Sequence, residues 1–90
     1  MLEPSYSGQF QKDVKLAVKR GKDMAKLRRV LQLLINEQPL PVGLRDHPLK
    51  GNWKGHRDLH VEPDWLVIYR LGRDSVHFER TGTHADLFRE

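Results

Sequence analysis

Ninety residues suit a single domain, here taken as 1–90, and a chain this short buries only about 60–65% of the surface it exposes when unfolded. With 38% hydrophobic and 31% charged residues it is too apolar for disorder, and with no apolar run near the ~20 residues of a bilayer span it is too polar for the membrane. No cysteine is present, which excludes disulfides and thiolate metal sites, and the net charge of +4 points to a polyanionic partner.

Residues 1–6 have neither the basic end nor the apolar stretch of a signal peptide, so the expected location is the cytoplasm. A short strand near Glu3–Ser5 is weakly signalled. Phe10, Val14, Ala17 and Val18 then recur at helical spacing, with Ser7 as N-cap and Gly21 at the stop. A second helix follows at once, capped by Asp23 and striped by Met24, Leu27, Leu31 and Leu34. Between Gln9 and Arg29 there are eight basic residues (Lys12, Lys15, Lys19, Arg20, Lys22, Lys26, Arg28 and Arg29) against Asp13 and Asp23. Such a stripe suits nucleic acid, an anionic membrane surface or an acidic protein; it also suits a merely solvated helix face.

The helical period stops near Asn36. A long irregular segment follows, with Pro39, Pro41, Pro48 and Gly51, and loops of that length in small domains are usually functional or disordered. Trp53 and His47 within it argue against disorder. From Gly55 onward the chain reads as strands: His56 to Val61, Trp65 to Leu71, and Val76 to Thr81, linked by Pro63-Asp64 and Gly72-Arg73-Asp74. His84 to Phe88 suits a last helical turn. The expected architecture is α+β, an N-terminal helical hairpin packed on one face of a mainly antiparallel sheet, with the other face uncovered.

The histidines collect toward that second face. His56 and His60 have the i, i+4 spacing of a helical zinc site, but in a strand they stand about 13 Å apart, too far for bonds of about 2 Å to one ion. The alternative is acid–base chemistry on RNA. Cleavage through the 2′-hydroxyl needs a base, an acid for the departing 5′-oxygen and a cation for the phosphorane; it needs no metal or cofactor. Imidazole suits both proton transfers near neutral pH, and a guanidinium fork matches phosphate oxygens. His47, His60 and His84 are the candidate proton movers and Arg80 the clamp. Asp64 could orient a histidine or the substrate. Trp65 and Phe88 could stack on a base, or simply pack the sheet. Lys50, Lys54 and Arg57 are candidates for phosphate contact.

The chain resembles the YafQ-type toxins of the RelE superfamily nearly end to end. The blocks that carry the likeness are Tyr6-Ser7-Gly8-Gln9-Phe10, Asp46-His47-Pro48-Leu49, Gly51-Asn52-Trp53-Lys54-Gly55, His60-Val61-Glu62-Pro63-Asp64-Trp65 and Phe78-Glu79-Arg80-Thr81-Gly82-Thr83-His84. The resemblance implies a RelE-like, microbial-RNase-like fold and a ribosome-dependent endoribonuclease that cuts mRNA in the ribosomal A site and stops translation. It implies two partners: the 70S ribosome, and a cognate antitoxin in a hetero-oligomer that binds its operator through the antitoxin. It carries the family's functional positions onto His47, His60, Asp64, Trp65, Arg80, His84 and Phe88. Two departures stand out. A Tyr is expected where His56 stands, which puts His56 outside the catalytic set, and Arg89 and Glu90 extend past the terminal Phe88. The contrasting reading within the superfamily is a non-catalytic toxin acting on DNA gyrase, and a third is a plain basic RNA-binding module; neither needs several proton-transfer groups on one face.

Overall fold

The computed structural model describes residues 1–88; Arg89 and Glu90 lie outside the described residues. Along the chain run β1 (Glu3–Tyr6), α1 (Gly8–Lys19), α2 (Met24–Ile35), β2 (His47–Pro48), β3 (Arg57–Glu62), β4 (Trp65–Leu71), β5 (Ser75–Gly82) and α3 (His84–Phe88). The strands form one sheet in the order β1-β5-β4-β3-β2. β1 joins β5 in parallel, and every other pair is antiparallel.

The helix boundaries follow the capping chemistry. Ser7 accepts from the Phe10 amide at 2.8 Å, and Asp23 accepts from the Ala25 amide at 3.0 Å, so each helix starts with an otherwise orphaned N–H satisfied. α1 ends because Gly21 takes φ +74°. The Gly21 and Lys22 amides then donate back to the Val18 and Ala17 carbonyls, which closes the last turn.

β4 is the central strand and is buried on both sides. Trp65, Val67 and Tyr69 join Leu59, Val76 and Phe78 in a core with Phe10, Ala17, Leu27, Val30 and Leu34 from α1 and α2. Each such side chain contributes about 1.5–3 kcal/mol by leaving water. Val18, expected on this inner face, is exposed, and the buried stripe of α1 runs through Asp13 on its other side instead. The opposite face is not uncovered as expected. Leu66, Ile68 and Leu87 form a second, smaller core there, with Leu49, Trp53 and Phe88 against it. The long segment between α2 and β3 contains two 3-10 turns, Val42–Leu44 and Gly51–Trp53, and the two-residue strand β2, which lies against Arg57 and Asp58.

β1 ends opposite Phe78, which leaves the rest of β5 as a sheet edge. The start of α1 covers it. The Ser7 amide donates to the Phe78 carbonyl at 3.0 Å and its hydroxyl donates to the Glu79 carbonyl at 2.7 Å. The buried Asp13 carboxylate accepts from the Thr81 amide at 3.1 Å, from Arg80 Nε at 2.7 Å and from Gln9 at 3.0 Å. Removing one partner of such a buried charge network strands the others. Asp13→Ala is therefore expected to cost about 3 kcal/mol of unfolding free energy, measured by urea denaturation at pH 7; a loss below experimental error would show that α1 docks without it.

Candidate active site

His47 sits in β2, where the following Pro48 restricts it to extended backbone, and it lies opposite Asp58 of β3. Its Nδ1 is 2.8 Å from the Arg45 carbonyl oxygen and 3.0 Å from Asp58 Oδ1. A carbonyl only accepts, so Nδ1 carries the hydrogen, and in the neutral ring Nε2 carries the lone pair. His60, two residues beyond Asp58 on the same face, lies next to it. The His47 and His60 ring centroids are 6.4 Å apart with the rings 25° from parallel. His84 opens α3 on the far side of His60, with centroids 5.5 Å apart. Phe88, one helical turn on, lies 6.4 Å from His84. The four rings make a row along the face opposite α1 and α2. A cleft of about 400 Å³ opens beside it, lined by His60 and His84 together with Gly43, Leu44 and Arg45.

Asp64, in the turn between β3 and β4, holds His84 by two bonds. Its Oδ1 accepts from the His84 amide at 2.9 Å and lies 2.6 Å from the His84 Nδ1. These bonds, the backbone one foremost, hold the Asp64 carboxyl below the usual carboxylate range. The carboxylate therefore stays ionised wherever histidine titrates.

Of the other expected site residues, Phe88 ends the row while Lys50 and Lys54 are exposed beside the Gly51–Trp53 turn. Three others are placed differently. Trp65 is 1% exposed on the helix side, its indole N–H donating to Thr81 Oγ1 at 3.0 Å, so it is a core residue and cannot stack on a base. Arg57 also faces the helix side, where it grips Asp46 through Nε at 3.2 Å and a terminal nitrogen at 2.9 Å, and is no free phosphate contact. Arg80 is in the cross-strand row of His47, Asp58 and Ile68, but Asp13 holds its Nε and one terminal nitrogen, so it is no free-standing clamp. The basic stripe is thinned in the same way: Arg20 pairs with Asp86 at 2.6 Å, and Lys22 and Lys26 approach Glu62 at 3.7 and 3.1 Å. Lys12, Lys15, Lys19, Arg28 and Arg29 remain exposed. His56 stands apart from the row, with its Nε2 3.4 Å from Glu79 Oε2, an oxygen that His77 Nε2 also approaches at 3.4 Å.

Sequence reasoning underrated Asp58. Period-two alternation through Asp58, Leu59 and His60 puts both polar side chains on one face, which was the available signal. Asp58 is 2% exposed, and its Oδ1 makes no well-aligned hydrogen bond; neither does the buried Nδ1 of His60. Burial pushes the Asp58 carboxyl up, and charge on His47, His60 and His84 acts against that rise. Among the described residues no three His, Cys, Asp or Glu side chains are arranged to hold a metal ion.

Residues 2–89 match the family described as the bacterial toxin of type II toxin–antitoxin system, YafQ. The mRNA interferase toxin YafQ of Escherichia coli strain K12 is 63% identical over 84 residues, 92% of this chain and 91% of that protein. The crystal structure of YafQ from E. coli strain BL21(DE3) matches with a TM-score of 0.93 and 58% identity, covering 98% of this chain and 99% of that one. The toxin in the E. coli DinJ–YafQ complex matches at 0.91 and 60% identity over 98% and 99% of the two chains. A metal-bound toxin from Helicobacter pylori matches at 0.91 and 40% identity over 98% and 100%.

An ionised carboxylate whose pKa is raised by burial destabilises the fold at every pH where it is charged, and the cost is relieved as pH falls through the raised value. Asp58→Asn should therefore raise Tm at pH 7, with the gain shrinking in acid, where both proteins carry a neutral side chain. Calorimetry from pH 4 to 8 checks this, and a lower Tm at pH 7 would contradict it.

Proposed function

The chain belongs to the YafQ family of toxins of bacterial type II toxin–antitoxin systems, and we propose that this mRNA interferase cuts messenger RNA in the ribosomal A site by metal-independent attack of the 2′-hydroxyl. The single observation that carries this reading is the row of His47, His60 and His84, with the last held by Asp64 at 2.6 Å. His47 Nε2, on a ring whose Nδ1–H points to a backbone carbonyl, takes the proton of the 2′-hydroxyl. The freed oxygen attacks phosphorus, and the bond to the 5′-oxygen breaks. His84, which in its protonated form makes an ion pair with Asp64, returns a proton to that leaving oxygen. One proton is taken and one is given, and the products are a 2′,3′-cyclic phosphate and a 5′-hydroxyl. His60 lies between the two rings, within reach of the phosphate. Arg80, oriented by Asp13, supplies fixed positive charge for the phosphorane from the same cross-strand row.

Phe88, at the end of the row, is the stacking surface for a splayed base. Lys50, Lys54 and the exposed basic residues of α1 and α2 meet ribosomal RNA phosphates, a contact that weakens with salt. The ribosome supplies the message in an extended form. The second partner is a cognate antitoxin, as YafQ has in the E. coli complex with DinJ, in a hetero-oligomer that reaches its operator through the antitoxin. No helix among the described residues is long and apolar enough to cross a membrane, which accords with action on ribosomes in the cytoplasm.

His84→Gln and Asp64→Asn should each lower cleavage of a translated message by about 10²–10⁴-fold, read by primer extension with purified toxin and ribosomes. Cleavage by the wild-type protein should survive EDTA titrated against the magnesium that keeps ribosomes intact. Near-normal rates in both variants would remove the site assignment, and activity restored only by an added transition metal would remove the metal-free scheme.

A further inference from the structure

His47 belongs to a segment with few anchors. Between α2 and β3 the backbone is tied by the two residues of β2 and the bond from the Leu49 amide to the His56 carbonyl at 2.9 Å, while Leu40 and Leu44 pack against the main core and Leu49 and Trp53 against the second. Arg45, two residues before His47, takes the left-handed φ of +51°, which an arginine adopts only where its surroundings hold it there. Its carbonyl is the one that His47 Nδ1 contacts.

The missing anchor is on the other face of the sheet. Asp46 and His47 are successive residues of extended chain, so their side chains go to opposite sides. His47 joins the imidazole row, while Asp46 turns toward the helix side and meets Tyr69 and Arg57. Tyr69 is 1% exposed, its ring is in the main core, and its hydroxyl donates to Asp46 Oδ1. Arg57 closes on both Asp46 oxygens, at 3.2 and 2.9 Å. Arg57 and Tyr69 are direct cross-strand partners, and Arg57 also lies opposite Pro48. The carboxylate is thus bound by two donors from adjacent strands of the sheet, β3 and β4. A buried tyrosine hydroxyl needs an acceptor, and here the acceptor is the residue next to His47.

We propose that Asp46, Tyr69 and Arg57 form a clamp that positions His47 from the opposite face of the sheet. The clamp sets where the His47 imidazole stands relative to His60 and His84, and it does so without touching RNA. Its catalytic consequence rests on the nuclease reading above; its structural consequence does not. Successive residues of the segment then have paired roles, His47 facing the message and Asp46 facing the core.

The test uses Tyr69→Phe, which keeps the ring in the core, and Asp46→Asn, which keeps the loop's length and shape. In both, kcat for message cleavage should fall about tenfold to a hundredfold, as expected for a proton-transfer group displaced by a fraction of an ångström to an ångström. KM should change less than kcat, because the exposed basic residues of α1 and α2 that meet the ribosome lie outside this segment. In NMR spectra of the purified protein the His47 ring resonances should shift or broaden, while those of His60 and His84 keep their wild-type positions. A purely structural bond would lower Tm and leave both readouts alone. Wild-type kcat in both variants, or unmoved His47 resonances, overturns the clamp. Should the wild-type protein cleave no message, the nuclease reading fails, and the clamp stands or falls on the His47 resonances alone.

Discussion

Successive side chains of β3 and β4 go to opposite faces of the sheet, and both faces are occupied. On one side Leu59, Trp65, Val67 and Tyr69 meet the helices; on the other Asp58, His60, Leu66 and Ile68 meet α3 and the long segment. A slip of one residue would exchange the two sets, driving imidazoles into the apolar core and Trp65 and Tyr69 into water. The register that packs the core is therefore also the register that lines up the histidines. In a protein this small the same few residues must meet both demands, and the Asp46–Tyr69–Arg57 contact ties the two faces together at one point.

Two buried aspartates show how differently the fold treats charge. Asp13 accepts from Arg80, Gln9 and a backbone amide, so its oxygens are well supplied and its role is to dock α1 on the edge of β5. Asp58 is as deeply buried, between His47 and Ile68 in the cross-strand row, and its Oδ1 and the nearby His60 Nδ1 lack aligned partners. Under-satisfied polar groups cost stability, and a thin core tolerates few of them. The exceptions fall beside the imidazole row, where Asp58 and His60 share one face of β3.

Much of this was legible in the sequence, for identifiable reasons. Both helices announce themselves through their period and through Ser7, Gly21 and Asp23. Trp65 to Leu71 and the alternation through Thr81 mark β4 and β5. β1 was faint because it is short, contains Pro4 and finds its hydrogen bonds with a partner some seventy residues on. His47, His60, His84, Asp64 and Phe88 come together as the residue types suggested. Trp65 and Arg57 do not join them, because a strand pattern tells which residues share a face but not which face meets the helices. Arg80 was expected as a free clamp, since nothing local links it to Asp13. Asp58 was passed over because a carboxylate among histidines reads as surface charge until its burial is known.

The parallel pairing of β1 with β5 has a consequence for how the protein comes into being. β1 can be seated only when β5, some seventy residues on, is available, and His84 follows β5 directly. A chain growing from its N-terminus therefore holds an unpaired first strand and an incomplete set of imidazoles until β5 and His84 have both been added.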